Sequence, residues 1–145
     1  MGVTVVRTLV VDDDLVFRET MAERLVQLGL PVDTASGGRE AVQMCQTRTY
    51  RLIIMDFDMP DMTGFDATRL VREMGCSALI AGCSGTTSRE RYERAMSCGM
   101  NIVEGKFIKT SRLVEIIALA HQDKPHAEAM TRWKGNTLFT PAVGA

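Results

Sequence analysis

The chain has 145 residues, with 17 lysines and arginines against 18 aspartates and glutamates, so its formal net charge is −1. This length suits one domain with a sizeable apolar core, and the balanced charge excludes the strongly basic surface on which nucleic-acid binding depends. No apolar run reaches the roughly 18 residues of a membrane span, and the N-terminus lacks the basic start of a signal peptide. We therefore expect a soluble, cytoplasmic protein with no nucleic-acid or membrane partner, or a nuclear one if the organism is eukaryotic.

Strands and helices are predicted to alternate from the start of the chain. The first predicted strand is Arg7–Val11, and Gly29 ends the helix that follows it. The inward stripe of this helix has helical spacing and consists of Phe17, Met21, Leu25 and Leu28. A short strand at Val32–Ala35 and a second helix at about Arg39–Thr47 come next. The inward positions of this second helix are Ala41, Val42 and Cys45.

The middle of the chain repeats this pattern. An uninterrupted apolar run, Leu52–Met55, predicts a strand that is buried on both faces, and turn residues separate it from a helix at about Phe65–Met74. The apolar positions of that helix are Phe65, Ala67, Leu70 and Val71. A fourth strand at Ser77–Cys83 and a charged, largely solvated helix at Arg89–Cys98 follow.

A fifth strand and a fifth helix complete the pattern. The strand is Asn101–Glu104, and Ser111 is predicted to cap a helix with inward residues Leu113, Ile116, Ile117 and Ala120. Five such units predict an α/β fold with a parallel sheet and right-handed crossovers. Residues 123–145 show no sustained periodicity, so we expect a flexible C-terminal tail that is too short to form an output domain.

Four cysteines are spread along the chain without a C-x-x-C spacing. They are Cys45, Cys76, Cys83 and Cys98, and their neighbours are apolar or small residues. We predict reduced, mostly buried thiols, and the alternative is a zinc site or a disulfide framework.

Acidic residues follow two of the predicted strands. Asp12 and Asp13 come directly after the first strand, and Asp56 comes directly after the third. The carboxyl ends of parallel strands share one edge of a sheet, so these acids are expected to converge there. Converging carboxylates repel one another unless a cation lies between them, and a few acids plus water suit Mg²⁺. The alternatives are that Asp56 only caps a turn and that residues 12–14 only cap a helix, a role that we expect for Asp14 in either case.

A hydroxyl and a lysine occupy the ends of the last two strands. Ser84 follows the fourth strand, and Lys106 follows the fifth. At the same edge as the acids, both could bind the oxygens of a phosphoryl group carried by a carboxylate and offset their charge. The alternatives are ordinary roles, in which Ser84 begins a turn and Lys106 is a solvated surface residue.

The joint order of these residues is more specific than any one of them. Acids follow the first and third strands, a hydroxyl follows the fourth and a lysine follows the fifth. Through Val10–Asp13, Met55–Pro60 with Gly64, Ser84–Gly85 and Lys106, the chain resembles the receiver domain of two-component response regulators. The resemblance implies a flavodoxin-like (βα)5 domain over residues 1–122, with a five-stranded parallel sheet in the order 2-1-3-4-5.

This resemblance implies a role for each strand-end residue. Asp56 would be the phosphoacceptor, taking a phosphoryl group from a phosphohistidine on a histidine kinase or a histidine phosphotransfer protein. Ser84 and Lys106 would bind the phosphoryl oxygens. The implied cofactor is Mg²⁺, held by Asp12, Asp13, Asp56 and the backbone carbonyl of Asp58. The implied chemistry is Mg-dependent self-phosphorylation and later hydrolysis, without turnover of small substrates.

Four positions depart from the receiver pattern, and one of them, Gly105, is expected to loosen the fifth strand. Receivers usually have a cis proline after the lysine, but Phe107 stands here, and a cis bond before a non-proline residue costs about 2.5–4 kcal/mol. We therefore predict a trans or locally rearranged Lys106–Phe107 link, which bears on how Lys106 is aimed. Val103 replaces the usual aromatic residue, so rotation of a ring there cannot report phosphorylation. Asp58 adds an acid beside the acceptor and is expected to alter the lifetime of the phosphoryl group.

Three functions are compatible with these residues. The expected function is that of a stand-alone receiver in a phosphorelay, with a weak likeness to plant single-domain receivers. A degenerate receiver that only binds other proteins is the second, and the departures at Phe107 and Val103 favour it. The third, a haloacid-dehalogenase-like phosphatase, rests on the DxD sequence at residues 56–58, but Pro60 stands where that family has threonine or valine.

Overall fold

A computed structural model describes residues 7–122, in which five strands alternate with five helices. The strands are β1 (Arg7–Val11), β2 (Val32–Ala35), β3 (Tyr50–Asp56), β4 (Leu79–Ser84) and β5 (Ile102–Gly105). The helices are α1 (Leu15–Gln27), α2 (Gly38–Thr47), α3 (Gly64–Glu73), α4 (Arg89–Cys98) and α5 (Thr110–Ala120). The predicted tail at 123–145 lies outside the described residues.

The strands form one parallel sheet in the order β2-β1-β3-β4-β5. Val11 of β1 lies opposite Met55 of β3, and Asp56 lies opposite Cys83 of β4. This arrangement confirms the predicted flavodoxin-like (βα)5 fold. It also brings the carboxyl ends of the strands to one edge of the sheet, where the predicted site residues lie.

Side chains on the central strand β3 alternate between two apolar layers. Leu52 and Ile54 pack on the side of α1 and α5, whereas Ile53 and Met55 pack on the side of α2, α3 and α4. All four are fully buried, so the apolar run is enclosed on both faces as predicted. The helices contribute Met21, Leu25, Leu113 and Ile116 to the first layer, and Ala41, Phe65, Val71 and Ala95 to the second.

Side-chain caps fix where three of the helices begin. In each, an oxygen of the capping residue accepts a backbone N–H bond: Asp14 from Val16 at 3.0 Å, Thr63 from Asp66 at 3.1 Å and Ser88 from Arg91 at 3.2 Å. The predicted capping role of Asp14 is therefore confirmed. The predicted cap at Ser111 is wrong, because the N-cap is Lys109, two residues earlier, and its side chain makes no capping bond.

Burial corrects three further predictions. Leu28 and Leu70 keep 40% and 38% of their surface exposed, and Leu28 is the C-cap residue just beyond the last residue of α1. All four cysteines are free, which agrees with reduced thiols, but only Cys83 is buried and the other three are half-buried.

Within residues 7–122, no helix is long and apolar enough to cross a membrane.

Gly82 sits in the middle of β4 because two side chains take the space of a Cβ. An added Cβ would lie 2.4 Å from the Met100 sulfur and 2.6 Å from the Phe57 ring. β4 therefore runs unbroken through Gly82 to Ser84 and packs closely against Phe57, the residue after the predicted phosphoacceptor.

Candidate functional site

Three carboxylates converge at the carboxyl ends of β1 and β3. Asp12, Asp13 and Asp56 each present an oxygen within 4.8 Å of the others. Asp12 is fully buried and Asp56 is 4% exposed, whereas Asp13 faces solvent. The backbone N–H of Asp14 donates to Asp12 Oδ1 at 2.9 Å and so fixes that carboxylate. The predicted convergence of the strand-end acids is confirmed.

Lys106 reaches into the same cluster from the end of β5. Its Nζ donates to Asp12 Oδ2 at 2.7 Å and lies 3.3 Å from Asp56 Oδ1, above the Phe17 ring at 4.9 Å. Burial disfavours the charged amine, but the hydrogen bond to Asp12 and the charge of Asp56 outweigh it, so the pKa of Lys106 is raised. Lys106 is therefore a fixed cation between two buried acids.

One lysine does not neutralise this cluster. Burial, followed by the negative charge of Asp12, raises the pKa of Asp56 to about 7, although Lys106 acts in the opposite direction. The carboxylates are thus held close together at an electrostatic cost that a further cation would relieve. An oxygen-only cluster of this kind fits a hard divalent ion such as Mg²⁺.

Ser84 is the last residue of β4, and it is 4% exposed. Its neighbour Cys83 pairs with Asp56 across the strands, so Ser84 lies one residue beyond the acceptor position. The Ser84 hydroxyl donates to the backbone carbonyl of Thr86. The hydroxyl is therefore at the predicted edge of the sheet, where it is engaged by its own loop.

The loop after β3 is tied to α2 by a carboxylate that sequence reasoning did not single out. Asp61 accepts backbone N–H bonds from Gly38 at 3.1 Å and Arg39 at 2.9 Å, and a further one from Met62 at 2.9 Å. The bond from Arg39 contributes most to lowering the pKa of Asp61. In the sequence, Asp61 reads only as a turn residue, and no local spacing connects it to α2.

Asp58 and Arg91 form a second contact that was not predicted. The Asp58 backbone N–H acts to lower the pKa of Asp56, whereas Oδ2 of the Asp58 side chain lies 2.7 Å from Arg91 Nη2. Arg91 lies in the first turn of α4, which the sequence presents only as a charged, solvated helix.

The departures at Phe107 and Val103 leave Lys106 in place. None of the described peptide bonds is cis, so the predicted trans Lys106–Phe107 link is confirmed. The Phe107 side chain is fully exposed, and Val103 is buried. Phe107 borders a groove of about 580 Å³ between α1 and the loop after β5, whose other apolar residues are Val16, Phe17, Met21 and Ile108.

Comparison with known proteins agrees with this geometry. A model of the response regulator receiver domain matches residues 8–118. Two-component response regulator 24 of Arabidopsis thaliana is 37% identical over 110 residues, which cover 75% of this chain and 79% of that protein. Sensor protein EvgS of Escherichia coli is 33% identical over 114 residues, which cover 79% of this chain but only 10% of that protein.

Solved structures give the same result at the level of the fold. The chemotaxis protein CheY4 of Vibrio cholerae matches with a TM-score of 0.74 and 28% identity, over 79% of this chain and 98% of that structure. The acid cluster and Lys106 lie within residues 8–118, which the family model matches. The chain therefore belongs to the family of response regulator receiver domains.

Proposed function

We propose that this receiver accepts a phosphoryl group on Asp56 from a phosphohistidine, in a Mg²⁺-dependent phosphorelay, and later loses it by hydrolysis. The observation that carries the proposal is the placement of Lys106 Nζ between Asp12 and Asp56, 2.7 Å from one and 3.3 Å from the other. A lysine beside a carboxylate cluster supplies fixed positive charge where an anionic group would arrive.

Each residue of the site then has one task. A carboxylate oxygen of Asp56 attacks phosphorus, the bond from phosphorus to the histidine nitrogen breaks, and the imidazole leaves with that electron pair. Lys106 remains beside the transferred oxygens and offsets their charge, and the Ser84 hydroxyl turns from the Thr86 carbonyl to donate to one of them. Asp12, Asp13, Asp56 and the Asp58 carbonyl would hold Mg²⁺, which supplies further positive charge for the in-line transfer.

Transfer from a phosphohistidine donor tests this function directly. A radiolabelled histidine phosphotransfer protein is mixed with the wild type and with Asp56→Asn, with Mg²⁺ or with a chelator. We expect label on the wild type only, and only with Mg²⁺. An Asp66→Asn variant, which alters an exposed carboxylate on α3, is the matched control and should label normally.

A degenerate receiver that only binds proteins is the second candidate, and the departures at Phe107 and Val103 favour it. Incubation with Mg²⁺ and acetyl phosphate or beryllofluoride separates the two candidates. Unchanged mass and unchanged spectra would favour the binding module and contradict phosphoryl acceptance. Membership of the receiver family gives no support to the phosphatase alternative.

A further inference from the structure

The carboxylate of Asp58, two residues after the phosphoacceptor, is paired with a guanidinium from another element of the fold. Asp58 lies at the start of the loop that leaves β3, which ends at Asp56. Its side chain is 68% exposed and meets Arg91 Nη2 at 2.7 Å. Arg91 comes from α4, a different element of the fold. A single contact between two elements thus decides where this acid points.

Packing holds Arg91 in position independently of that contact. Its guanidinium carbon lies 5.2 Å from the Phe57 ring centroid and 5.7 Å from that of Phe65. The two rings are buried and pack against each other at 4.8 Å. Arg91 Nε is buried too, without a hydrogen-bond partner among the described residues. Because a stacked guanidinium is fixed and an exposed carboxylate is free to turn, Arg91 sets the direction of Asp58.

We infer that Arg91 is a positioning residue that holds the Asp58 carboxylate away from the phosphoryl group on Asp56 and so prolongs the life of that group. The inference rests on the proposed function, since it concerns hydrolysis at the same acceptor. Asp58 is expected to alter the lifetime of the phosphoryl group, and Arg91 sets the direction of that effect.

The reaction that Arg91 restrains is the attack of water on phosphoaspartate. The water oxygen forms a bond to phosphorus, the bond from phosphorus to the Asp56 oxygen breaks, and Asp56 leaves as a carboxylate. Both water protons stay on the released dihydrogen phosphate. A freed Asp58 carboxylate accepts a hydrogen bond from the attacking water and orients it. This orientation of the attacking water speeds the loss of the group.

The test measures loss of radiolabel from phosphorylated protein, after the donor has been removed. We expect Arg91→Ala to lose label about fivefold faster than the wild type. The effect is modest because the ion pair that the substitution removes is weak and partly exposed. Arg91→Lys, which keeps the positive charge, should recover part of the wild-type lifetime. An equal or longer lifetime in Arg91→Ala would overturn the inference.

Two further variants separate positioning from general damage to α4. Arg94→Ala removes a neighbouring guanidinium, 4.5 Å from the Phe65 ring, and should leave the lifetime unchanged. Asp58→Asn removes the acid, so adding Arg91→Ala to it should have no further effect. If Arg91→Ala still shortens the lifetime in that background, the effect does not pass through Asp58 and the inference is wrong.

The same experiment keeps the two proposals apart. If the wild type takes up no label on Asp56, the proposed function fails and this inference fails with it. If the wild type takes up label normally and Arg91→Ala loses it at the wild-type rate, only the inference fails. Thermal unfolding of each variant shows that the loss rates refer to folded protein.

Discussion

Asp56 is an acid held almost out of contact with water, 4% exposed and beside the buried Asp12. The pKa of Asp56 is raised to about 7, first by burial and then by the charge of Asp12. A carboxyl with a raised pKa contributes stability below its unfolded pKa of about 4, and this contribution is lost as pH rises through 7. The metal-free fold therefore carries an electrostatic cost at neutral and alkaline pH, which is localised at the acceptor.

The first prediction is that Asp56→Asn stabilises the metal-free protein. The amide removes the charge that Asp12 repels, so the variant should gain roughly 2 kcal/mol in unfolding free energy at pH 8 and much less at pH 5. Denaturant unfolding of both proteins in chelator, at the two pH values, measures the difference. If the difference in unfolding free energy between Asp56→Asn and the wild type does not grow with pH, this account of Asp56 is wrong.

The second prediction concerns Mg²⁺ and the exposed Asp13. An ion that binds only the folded protein raises its stability by about 2.7 kcal/mol at a concentration of 100 Kd. Thermal unfolding should therefore shift upward with Mg²⁺ for the wild type. Asp13→Asn should respond much less, since it keeps the two buried acids but loses one ligand oxygen. A full shift in Asp13→Asn would show that Asp13 is not a ligand.

The acids and Lys106 could be predicted from the sequence because the order of strands determines which strand ends are neighbours. Asp12 and Asp13 follow β1, Asp56 is the last residue of β3 and Lys106 follows β5, so the parallel topology brings them together. The pair of Asp58 and Arg91 could not be predicted in this way. One lies on a loop and the other on a helix, and only the packing of α4 against Phe57 and Phe65 fixes their contact.

At the scale of elements, the turn from β3 into α3 is the tightest point of the site. A Cβ on Gly64 would lie 1.9 Å from the backbone oxygen of Asp56, and the Gly64 N–H donates to the Phe57 carbonyl at 2.8 Å. Backbone meets backbone there, so no side-chain movement can make room. The loop that carries the acceptor therefore depends on a residue without a side chain.

The third prediction is that Gly64→Ala distorts this turn. It should destabilise the fold by about 1–3 kcal/mol, the usual cost of overpacking, and should slow phosphoryl uptake on Asp56. Denaturant unfolding and acetyl phosphate labelling measure the two effects. Gly105→Ala is the control, because a Cβ there meets open space at the end of β5. Equal behaviour of the two variants would contradict the close approach at Gly64.

Asp33 lies on β2, an outer strand of the sheet, and its side chain connects β2 to β1, β3 and the residue after α2. Its carboxylate accepts bonds from Arg7 at 2.7 Å, Arg48 at 2.9 Å and Tyr50 at 2.7 Å. Burial alone would raise the pKa of Asp33, but these partners, led by Arg7, lower it to about 2. A lowered carboxyl pKa contributes stability above the unfolded value of about 4, which is lost as pH falls through 2.

The fourth prediction follows from that sign. Wild-type stability should fall by about 2 kcal/mol between pH 4 and pH 2 through Asp33 alone. Asp33→Asn should be less stable at pH 6 and should lack this part of the acid dependence. Urea unfolding between pH 2 and pH 6 measures the free energy of unfolding of both proteins, with Asp66→Asn as a solvent-exposed comparison. Parallel pH profiles for the wild type and Asp33→Asn would contradict the assignment.

The element pattern was largely predictable, and the misses share one cause. Alternating apolar runs and turn residues fixed the order of strands and helices, and the predicted ranges of β1, β2 and α4 match the structure. The predictions for Leu28, Leu70 and Ser111 failed because helical spacing defines a stripe but neither its width nor the residues at which the helix begins and ends. Burial at a stripe's edge depends on neighbouring elements, which the local sequence does not contain.

For the whole molecule, we propose that the exposed apolar residues beside the site form the contact surface for the phosphohistidine donor. Val16 and Phe107 are 73% and 101% exposed, and both line the groove between α1 and the loop after β5. Lys106 lines the same groove, so an apolar partner surface placed there would lie next to the acceptor. Adjacent apolar side chains around a groove are typical of a contact surface.

The last prediction separates binding of the proposed phosphohistidine donor from chemistry at Asp56. Val16→Asp and Phe107→Asp should slow transfer from a histidine phosphotransfer protein about tenfold, the effect of losing one strong apolar contact in an interface. Uptake from acetyl phosphate, which needs no protein surface, should stay at the wild-type rate. Val114→Asp is the control, since Val114 is 47% exposed on α5 and does not line the groove. Equal slowing with both donors would show that the substitutions damage the site itself, and unchanged transfer would place the donor on another face.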